Sequence, residues 1–379
     1  METVKGFRDF SEEEALKRQA IKEIIIKKFK SYGFLPAETP VIEYEKFVKA
    51  GEDEIISDIF KLQDKGKRKL ALRYELTFQL KRLAKNKKLP YRRYQIGEVF
   101  RDEPVSKARF REFTQCDVDV IGSTTKDEAE ILKLFSEILK ELEIDTEIYI
   151  NNRKLINEIL EKEGIKKKEQ VIKEIDKLDK LSEQEVRKNL KKYKAENLLT
   201  LFKKPESFFK KYKAYKEIQE LERYCKNYGV KVKFLSSLAR GLAYYNGSVF
   251  EIKVKKIKES IGGGGSYIIN GIQSTGISFG LERLSTITKI KVENIKCLII
   301  SIKQEKEAIK IAEQLRKRNI SCFIMDKISK ALDYANKQKI PFVIFIGAEE
   351  IKKGKIKLRN MKTGKEKLLR IPEIIKFLK

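Results

Sequence analysis

The stretch that most constrains this chain is residues 98–122, EVFRDEPVSKARFREFTQCDVDVIG, which reads as two strands joined by a basic loop and therefore as an antiparallel pair. The first strand ends in Arg101 and Glu103, and the loop carries Lys107, Arg109 and Arg111. On the returning strand, residues two apart point to the same face. Thr114, Cys116, Val118 and Val120 form a mostly apolar face. Phe113, Gln115, Asp117, Asp119 and Ile121 form the other, with three polar groups in succession. A strand facing solvent more often carries Lys, Glu and Thr there, whereas a pocket floor that reads polar ligands has this composition. On these residues alone an ordinary amphipathic hairpin stays open as the alternative.

Composition limits the chemistry. At 379 residues the chain has room for two or three domains and a large core. Charged residues make up 37%, above the usual quarter, as in the ion-paired surfaces of thermophiles. Lys plus Arg number 84 against 56 Asp plus Glu, a net charge of +28 whose sign and size suit nucleic acid; a lysine-rich solvated surface is the plainer alternative. There is no histidine. That excludes a Ser-His-Asp triad, an imidazole base and any histidine-ligated metal. The four cysteines, at 116, 225, 297 and 322, are scattered with no C-x-x-C pair, so no zinc site is expected and buried thiols in a reducing compartment are. METVKGFRDF is not a signal peptide and no apolar run approaches membrane-spanning length, so the expected location is the cytoplasm, with no membrane contact.

Along the chain, Ser11 and Glu14 have the spacing of a capping box. The helix that follows puts Leu16, Ala20, Ile21, Ile24, Ile25 and Phe29 on one face and ends at Gly33. Residues 34–43, FLPAETPVIE, are extended, with Pro36 and Pro40 suited to an edge or interface strand. Residues 69–77, KLALRYELT, alternate as a strand that presents Arg73, Glu75 and Thr77 on one face. A helix over 125–142 and a strand near 147–150 come after the hairpin. Residues 161–230 turn helical and polar, with 20 basic and 13 acidic residues. Their Tyr193, Phe202, Phe208, Phe209, Tyr212 and Tyr215 are read mainly as core, with the lysines left for phosphates; aromatic stacking on bases is the alternative. Asn246-Gly247 reads as a turn ahead of the strand SVFEIKV. The tetraglycine at 262–265 reads as a flexible turn or as backbone that approaches a ligand closely. From about residue 295 the strands KCLIISI, SCFIMD and PFVIFIGA alternate with helices near 304–318 and 327–338, a small and largely parallel α/β domain. Residues 351–370 then hold nine Lys plus Arg and one Glu, a solvated or RNA-facing segment.

Several of these stretches resemble one family. FRDE followed by R-F-R-E-F-x-Q is similar to motif 2 of class II aminoacyl-tRNA synthetases, in the form used by histidyl-tRNA synthetases. R-G-L-A-Y-Y resembles the family's R-G-L-D-Y-Y, SIGGGGSY its S-I-x-G-G-G-R-Y, and GISFGLERL motif 3. The first helix with residues 34–43 resembles motif 1, through which class II synthetases dimerise. The resemblance implies an α+β catalytic domain with a mostly antiparallel sheet over 1–160 and 231–290. It also implies a helical insertion domain at 161–230 placed against the tRNA acceptor stem, and an anticodon-binding α/β domain at 295–379. The implied activity is histidine–tRNA ligation by a homodimer, with ATP and Mg²⁺ and without zinc.

Residue roles follow by match of motif. Arg101 would bridge the substrate carboxylate and the α-phosphate, and Arg240 would stabilise the pentacovalent phosphorus. Arg109 and Arg283 would hold the outer phosphates, and Glu103 would read adenine. Glu75 and Thr77 would take the ammonium and Gln115 the carboxylate end. Asp119 and Tyr245 would read the imidazole, with Tyr244 and Tyr267 completing the histidine site. Ala243, Ser266 and Ile268 depart from the family's pocket residues, and Thr114 and Asn152 stand where the family has histidine. The rivals are a synthetase paralogue that regulates histidine biosynthesis without charging tRNA, an RNA-binding module on a degenerate core, and a prolyl- or threonyl-type synthetase. Such paralogues usually lack the anticodon-binding domain.

Overall fold

The computed structural model describes residues 2–48, 58–106, 109–179, 181–240, 244–254, 260–292 and 295–378. Lys107 and the stretch 241–243, which includes Ala243, lie outside the described residues. The chain divides into two compact units, Met1–Ile290 and Lys291–Lys379.

The first unit is built on an eight-stranded sheet. Its strands are β1 (Leu35–Pro36), β2 (Tyr91–Phe100), β3 (Glu112–Ile121), β4 (Thr146–Asn152), β5 (Val232–Phe234), β6 (Tyr245–Val254), β7 (Ser260–Ile269) and β8 (Ile272–Gly280). The spatial order is β1-β2-β3-β8-β7-β6-β4-β5, antiparallel throughout except for the parallel pairs at the two edges. The hairpin expected from the sequence is β2 and β3 at the heart of this order, in the register Arg93↔Asp119 and Gly97↔Gln115.

The alternation along β3 sorts the two faces of the sheet. Cys116, Val118 and Val120 have no exposed surface and join the core with α1 (Glu12–Ser31) and α2 (Thr125–Glu141). That core continues into the helices of the 161–230 segment, where Phe202, Phe209, Tyr212 and Tyr215 are buried and Tyr193 and Phe208 pack against them. Those aromatics are therefore packing residues, and none of the buried four is available to stack on a base.

Local expectations failed where side chains found better partners than the motif suggested. Ser11 precedes α1 in extended geometry but its side chain makes no capping hydrogen bond, and Glu14 is paired with Arg8. Thr124 and Asp127 form the capping box that α2 needed. The strand over 69–77 stops at Leu72. Beyond it the Arg73 side chain turns inward, with Nε donating to the Glu98 carbonyl at 2.6 Å and Nη1 to the Thr39 carbonyl at 2.8 Å. Asn246-Gly247 is no turn, for it lies inside β6. Asn246 Nδ2 donates to Gln273 Oε1 at 3.0 Å, and a Cβ on Gly247 would lie 3.2 Å from that of Ser266.

In the second unit the sheet order is β10 (Cys322–Met325), β9 (Cys297–Ser301), β11 (Phe342–Ile346), β12 (Ile356–Asn360), β13 (Glu366–Leu369). The first three are parallel, as expected. The basic segment 351–370 supplies an antiparallel hairpin that extends the sheet. Its charged residues alternate with Leu358 and Ile356, which are buried, so dense lysine concealed a period-two pattern.

Candidate active site

The face of the sheet opposite α1 and α2 carries a cavity. Its floor is low because the strands that cross it have almost no side chains there. Gly276 sits across from Asp119, and Gly263 across from Ser278. A Cβ added to Gly276 would stand 2.2 Å from Asp119 Oδ1, and one added to Gly263 would stand 2.3 Å from Arg240 Nη1. The tetraglycine is thus neither a turn nor flexible. It is the middle of β7, and its missing side chains leave the volume that Arg240 and Tyr245 occupy.

All nine residues expected to contact the amino acid line this one cavity: Glu75, Thr77, Arg101, Gln115, Asp119, Arg240, Tyr244, Tyr245 and Tyr267. The others expected at the nucleotide lie outside its lining. Glu103 and Arg109 pair with each other across the β2–β3 loop at 3.0 Å, and Arg283, on α3 (Leu281–Ile287), donates to the carbonyl of Ser260 at the start of β7. Ser266 and Ile268, two departures from the family pattern, are not in the lining either. Ser266 is buried and donates to Glu128, while the Ile268 side chain is exposed.

The lining also holds residues to which motif matching gave no role: Asp117, Ile277, Ser278 and the glycines. Asp117 was legible from the i, i+2 rule, since it shares a face with Gln115 and Asp119. Nothing in the sequence marks Ser278, whose Oγ accepts from Gln115 Nε2 at 3.2 Å, because that contact depends on β3–β8 pairing.

Three carboxyls share this enclosed space. Burial, reinforced by the neighbouring Asp117, pushes Glu75 up to about 8, against the pull of Arg101. Burial likewise pushes Asp117 up to about 7, opposed by Arg93. Asp119 is raised by burial and held back by Arg93 and by the hydroxyl of Tyr267. Tyr244 and Tyr267 are raised well above their ordinary range by burial, so both stay neutral donors. Arg101 lies over the Tyr74 ring, 4.3 Å from its centroid, which holds the guanidinium at the wall without neutralising it. The cavity therefore offers acidic groups poised to ionise for an incoming cation and two arginines for an incoming anion.

Outside the cavity, α1 and α3 lock β3 from behind. Arg18 Nη2 donates to Thr114 Oγ1 at 2.9 Å and Arg18 Nη1 reaches Glu282 at 2.8 Å. Asn152 caps the helix Arg153–Lys162 and donates to Glu217. Both positions where the family has histidine are thus fully engaged by other chemistry.

Comparison with known proteins places these features in context. A family model described as histidyl-tRNA synthetase matches residues 6–284, and one described as anticodon binding domain matches residues 296–379. The chain is 37% identical to histidine--tRNA ligase 1 of Bacillus cereus, over 100% of this chain and 99% of that protein. It is 36% identical to histidine--tRNA ligase 2 of Shouchella clausii, covering 96% and 97% of the two chains. Among solved structures, the histidyl-tRNA synthetase from Nostoc superposes with a TM-score of 0.86 at 24% identity, over 100% of this chain and 98% of that one. A Bacillus halodurans structure described as an ATP phosphoribosyltransferase regulatory subunit/histidyl-tRNA synthetase gives 0.76 at 22%, over 91% and 97%. At those identities the structural matches speak for the fold.

Proposed function

Because the chain belongs to the histidyl-tRNA synthetase family, we propose that its cavity binds histidine and presents the substrate carboxylate to the α-phosphate of ATP. The chain is a class II ligase that joins histidine to histidine tRNA in two steps. A carboxylate oxygen of histidine attacks the α-phosphorus, and the bond to the bridging oxygen breaks to release pyrophosphate. The 3'-hydroxyl of the terminal adenosine of the tRNA then attacks the carbonyl of the adenylate, and AMP leaves. The carboxylate is already a nucleophile at neutral pH, so the first step needs in-line positioning and charge cancellation more than a base. An active site without histidine suits that requirement.

The observation that carries this reading is the joint lining of one cavity by Glu75 and Thr77, Gln115, Asp119 and Tyr245, and Arg101 and Arg240. Glu75 and Thr77 take the ammonium. Asp119 and Tyr245 hydrogen-bond the two imaginable donor and acceptor sites of the imidazole, beside Tyr244 and Tyr267. Gln115 and Arg101 hold the carboxylate end, and Arg240 bears on the pentacovalent phosphorus. Arg109, Arg283 and Glu103 serve the rest of ATP, which requires Arg109 and Glu103 to exchange their mutual ion pair for nucleotide contacts. Mg²⁺ carried on the ATP phosphates supplies further charge neutralisation when bound. The helical segment 161–230 meets the acceptor stem and the unit at 295–379 meets the anticodon; both are rich in lysine. Dimerisation through the motif 1 region is supported by the exposed apolar side chains of Leu35, Ile42, Tyr44 and Phe47. A monomeric mass in solution at micromolar concentration would overturn it.

The test is pyrophosphate exchange with each of the twenty amino acids, with Arg240→Ala as control. Exchange with histidine alone, lost in the control, is expected. A folded sample with ATP and Mg²⁺ that exchanges with no amino acid would favour the regulatory paralogue, a reading opposed by the anticodon-binding match at 296–379.

Glu75 also gives the site a pH signature. With its carboxyl at about 8 in the free cavity, it holds a proton at pH 7 and must lose it to pair with an ammonium. Histidine binding at pH 7 is therefore expected to release protons, and affinity is expected to rise from pH 6 to 8. Calorimetry in two buffers of different ionisation heat reads the proton count. Affinity that is flat over this range, with no proton release, would remove Glu75 from the ammonium site.

A further inference from the structure

We propose that Arg93, which no motif singles out, is a positioning residue that sets histidine specificity by tying Asp119 to the segment that carries Glu75 and Thr77; this rests on the histidine-binding reading above. Arg93 lies on β2 directly across from Asp119 of β3, with none of its surface exposed. Its Nη2 is 2.7 Å from Asp119 Oδ2, and the same nitrogen donates to the carbonyl of Leu76 at 2.8 Å. Leu76 stands between Glu75 and Thr77, which both line the cavity. One guanidinium thus touches two walls of the site, the strand that reads the imidazole and the irregular segment that takes the ammonium. The opposite oxygen of Asp119 accepts from Tyr267, and Gly276 leaves it room. The carboxylate is held by a hydrogen bond on the Tyr267 side and by the ion pair on the Arg93 side, where Oδ2 has no hydrogen-bond partner among the described residues.

Arg93 offsets the buried charge of Asp117 and Asp119, yet net stability is a weak reason for an arginine at this position. Its Nε and Nη1 have no hydrogen-bond partner among the described residues. Buried donors left unmade are costly, and a buried ion pair is seldom more stabilising than well-packed apolar groups. The arrangement makes sense as a strut. The distance from the ammonium site at Glu75 to the imidazole site at Asp119 decides which side-chain length fits, and recognition by fixed polar groups discriminates only while that distance is rigid.

The experiment is histidine-dependent pyrophosphate exchange by the full chain carrying Arg93→Met, Arg93→Lys, Asp119→Asn, or Arg93→Met with Asp119→Asn. For Arg93→Met the KM for histidine is expected to rise roughly ten- to a hundredfold, with the KM for ATP changed by less than about twofold. Arg93→Lys should recover part of the loss, and it carries the test if the methionine variant does not fold. On the Asp119→Asn background, Arg93→Met should add little, because the strut has lost what it holds. A folded Arg93 variant with an unchanged KM for histidine would overturn the proposal. So would an equal rise in both KM values, or full additivity with Asp119→Asn. Failure of the underlying reading is distinguishable, because it would appear as absence of histidine-dependent exchange in the unmodified chain.

Discussion

Arg240→Ala is expected to lower kcat for histidine-dependent pyrophosphate exchange by roughly a hundred- to a thousandfold, the range for removing one preorganised donor from a developing charge. The magnitude follows from where the side chain is held. Arg240 is threaded through the gap left by Gly263, beside Tyr245, and the Glu251 carboxylate stands 3.8 Å away. At that distance Glu251 orients the guanidinium without forming a close pair with it, and the Tyr245 hydroxyl is its other neighbour on that side. On the proposed reading, Arg240 acts at one moment, when the attacking carboxylate and the departing pyrophosphate share charge on phosphorus. The loss should therefore fall on kcat more than on the KM for histidine. Rapid-quench measurement of adenylate formation reads the chemical step directly. A variant that keeps the rate of that step but has a raised histidine KM would move Arg240 from the reacting phosphate to substrate binding.

The glycines of β7 should divide into two kinds of loss. At Gly264 an added Cβ would lie 2.0 Å from the carbonyl oxygen of Gly276 and 2.7 Å from the Cα of Ile277. Both are backbone atoms of the neighbouring strand, which cannot rotate away. Gly264→Ala is therefore expected to cost about 3 kcal/mol or more of stability in the first unit, read as a lowered denaturation midpoint. At Gly263 the closest atoms belong to the Arg240 guanidinium, at 2.3 and 2.8 Å, which can swing aside, and the one backbone atom met, the Phe250 carbonyl oxygen, is at 3.1 Å and need give only a few tenths of an ångström. Gly263→Ala should leave the denaturation midpoint close to that of the unmodified chain while lowering kcat by roughly a hundredfold, the cost of a misplaced catalytic group. If the two substitutions behaved alike, by stability or by rate, the account of the tetraglycine as a floor shaped for Arg240 would fail.

Much of this was legible from short-range pattern. The period-two alternation along β3 separated core residues from cavity residues correctly, because a strand in the middle of a sheet has no other way to arrange its side chains. The same rule contained Asp117, although motif matching passed over it. Pattern misled where a local signal had a competing tertiary use. Asn246-Gly247 has the composition of a turn but was needed in β6, where absence of a Cβ lets Ser266 approach. The glycines at 262–265 have the composition of a flexible turn and are instead a crowded central strand. Arg73 was expected on one strand face with Glu75 and Thr77, yet the strand stops before it and its guanidinium is taken by the carbonyls of Glu98 and Thr39.

By itself, then, the sequence determined the order of elements, the two faces of the central hairpin, the α/β character of the second unit and the residues able to handle an amino acid and a nucleotide. The first three depend on local periodicity, whereas the site residues are legible only through their resemblance to the synthetase motifs. Only the tertiary structure decided that Glu75, Asp119 and Arg240, far apart in the chain, share one cavity, and that Arg93 stands behind Asp119 with Leu76 as its second partner. Strand order and register settle such contacts. They arise from burial summed over the whole sheet, which no window of neighbouring residues contains.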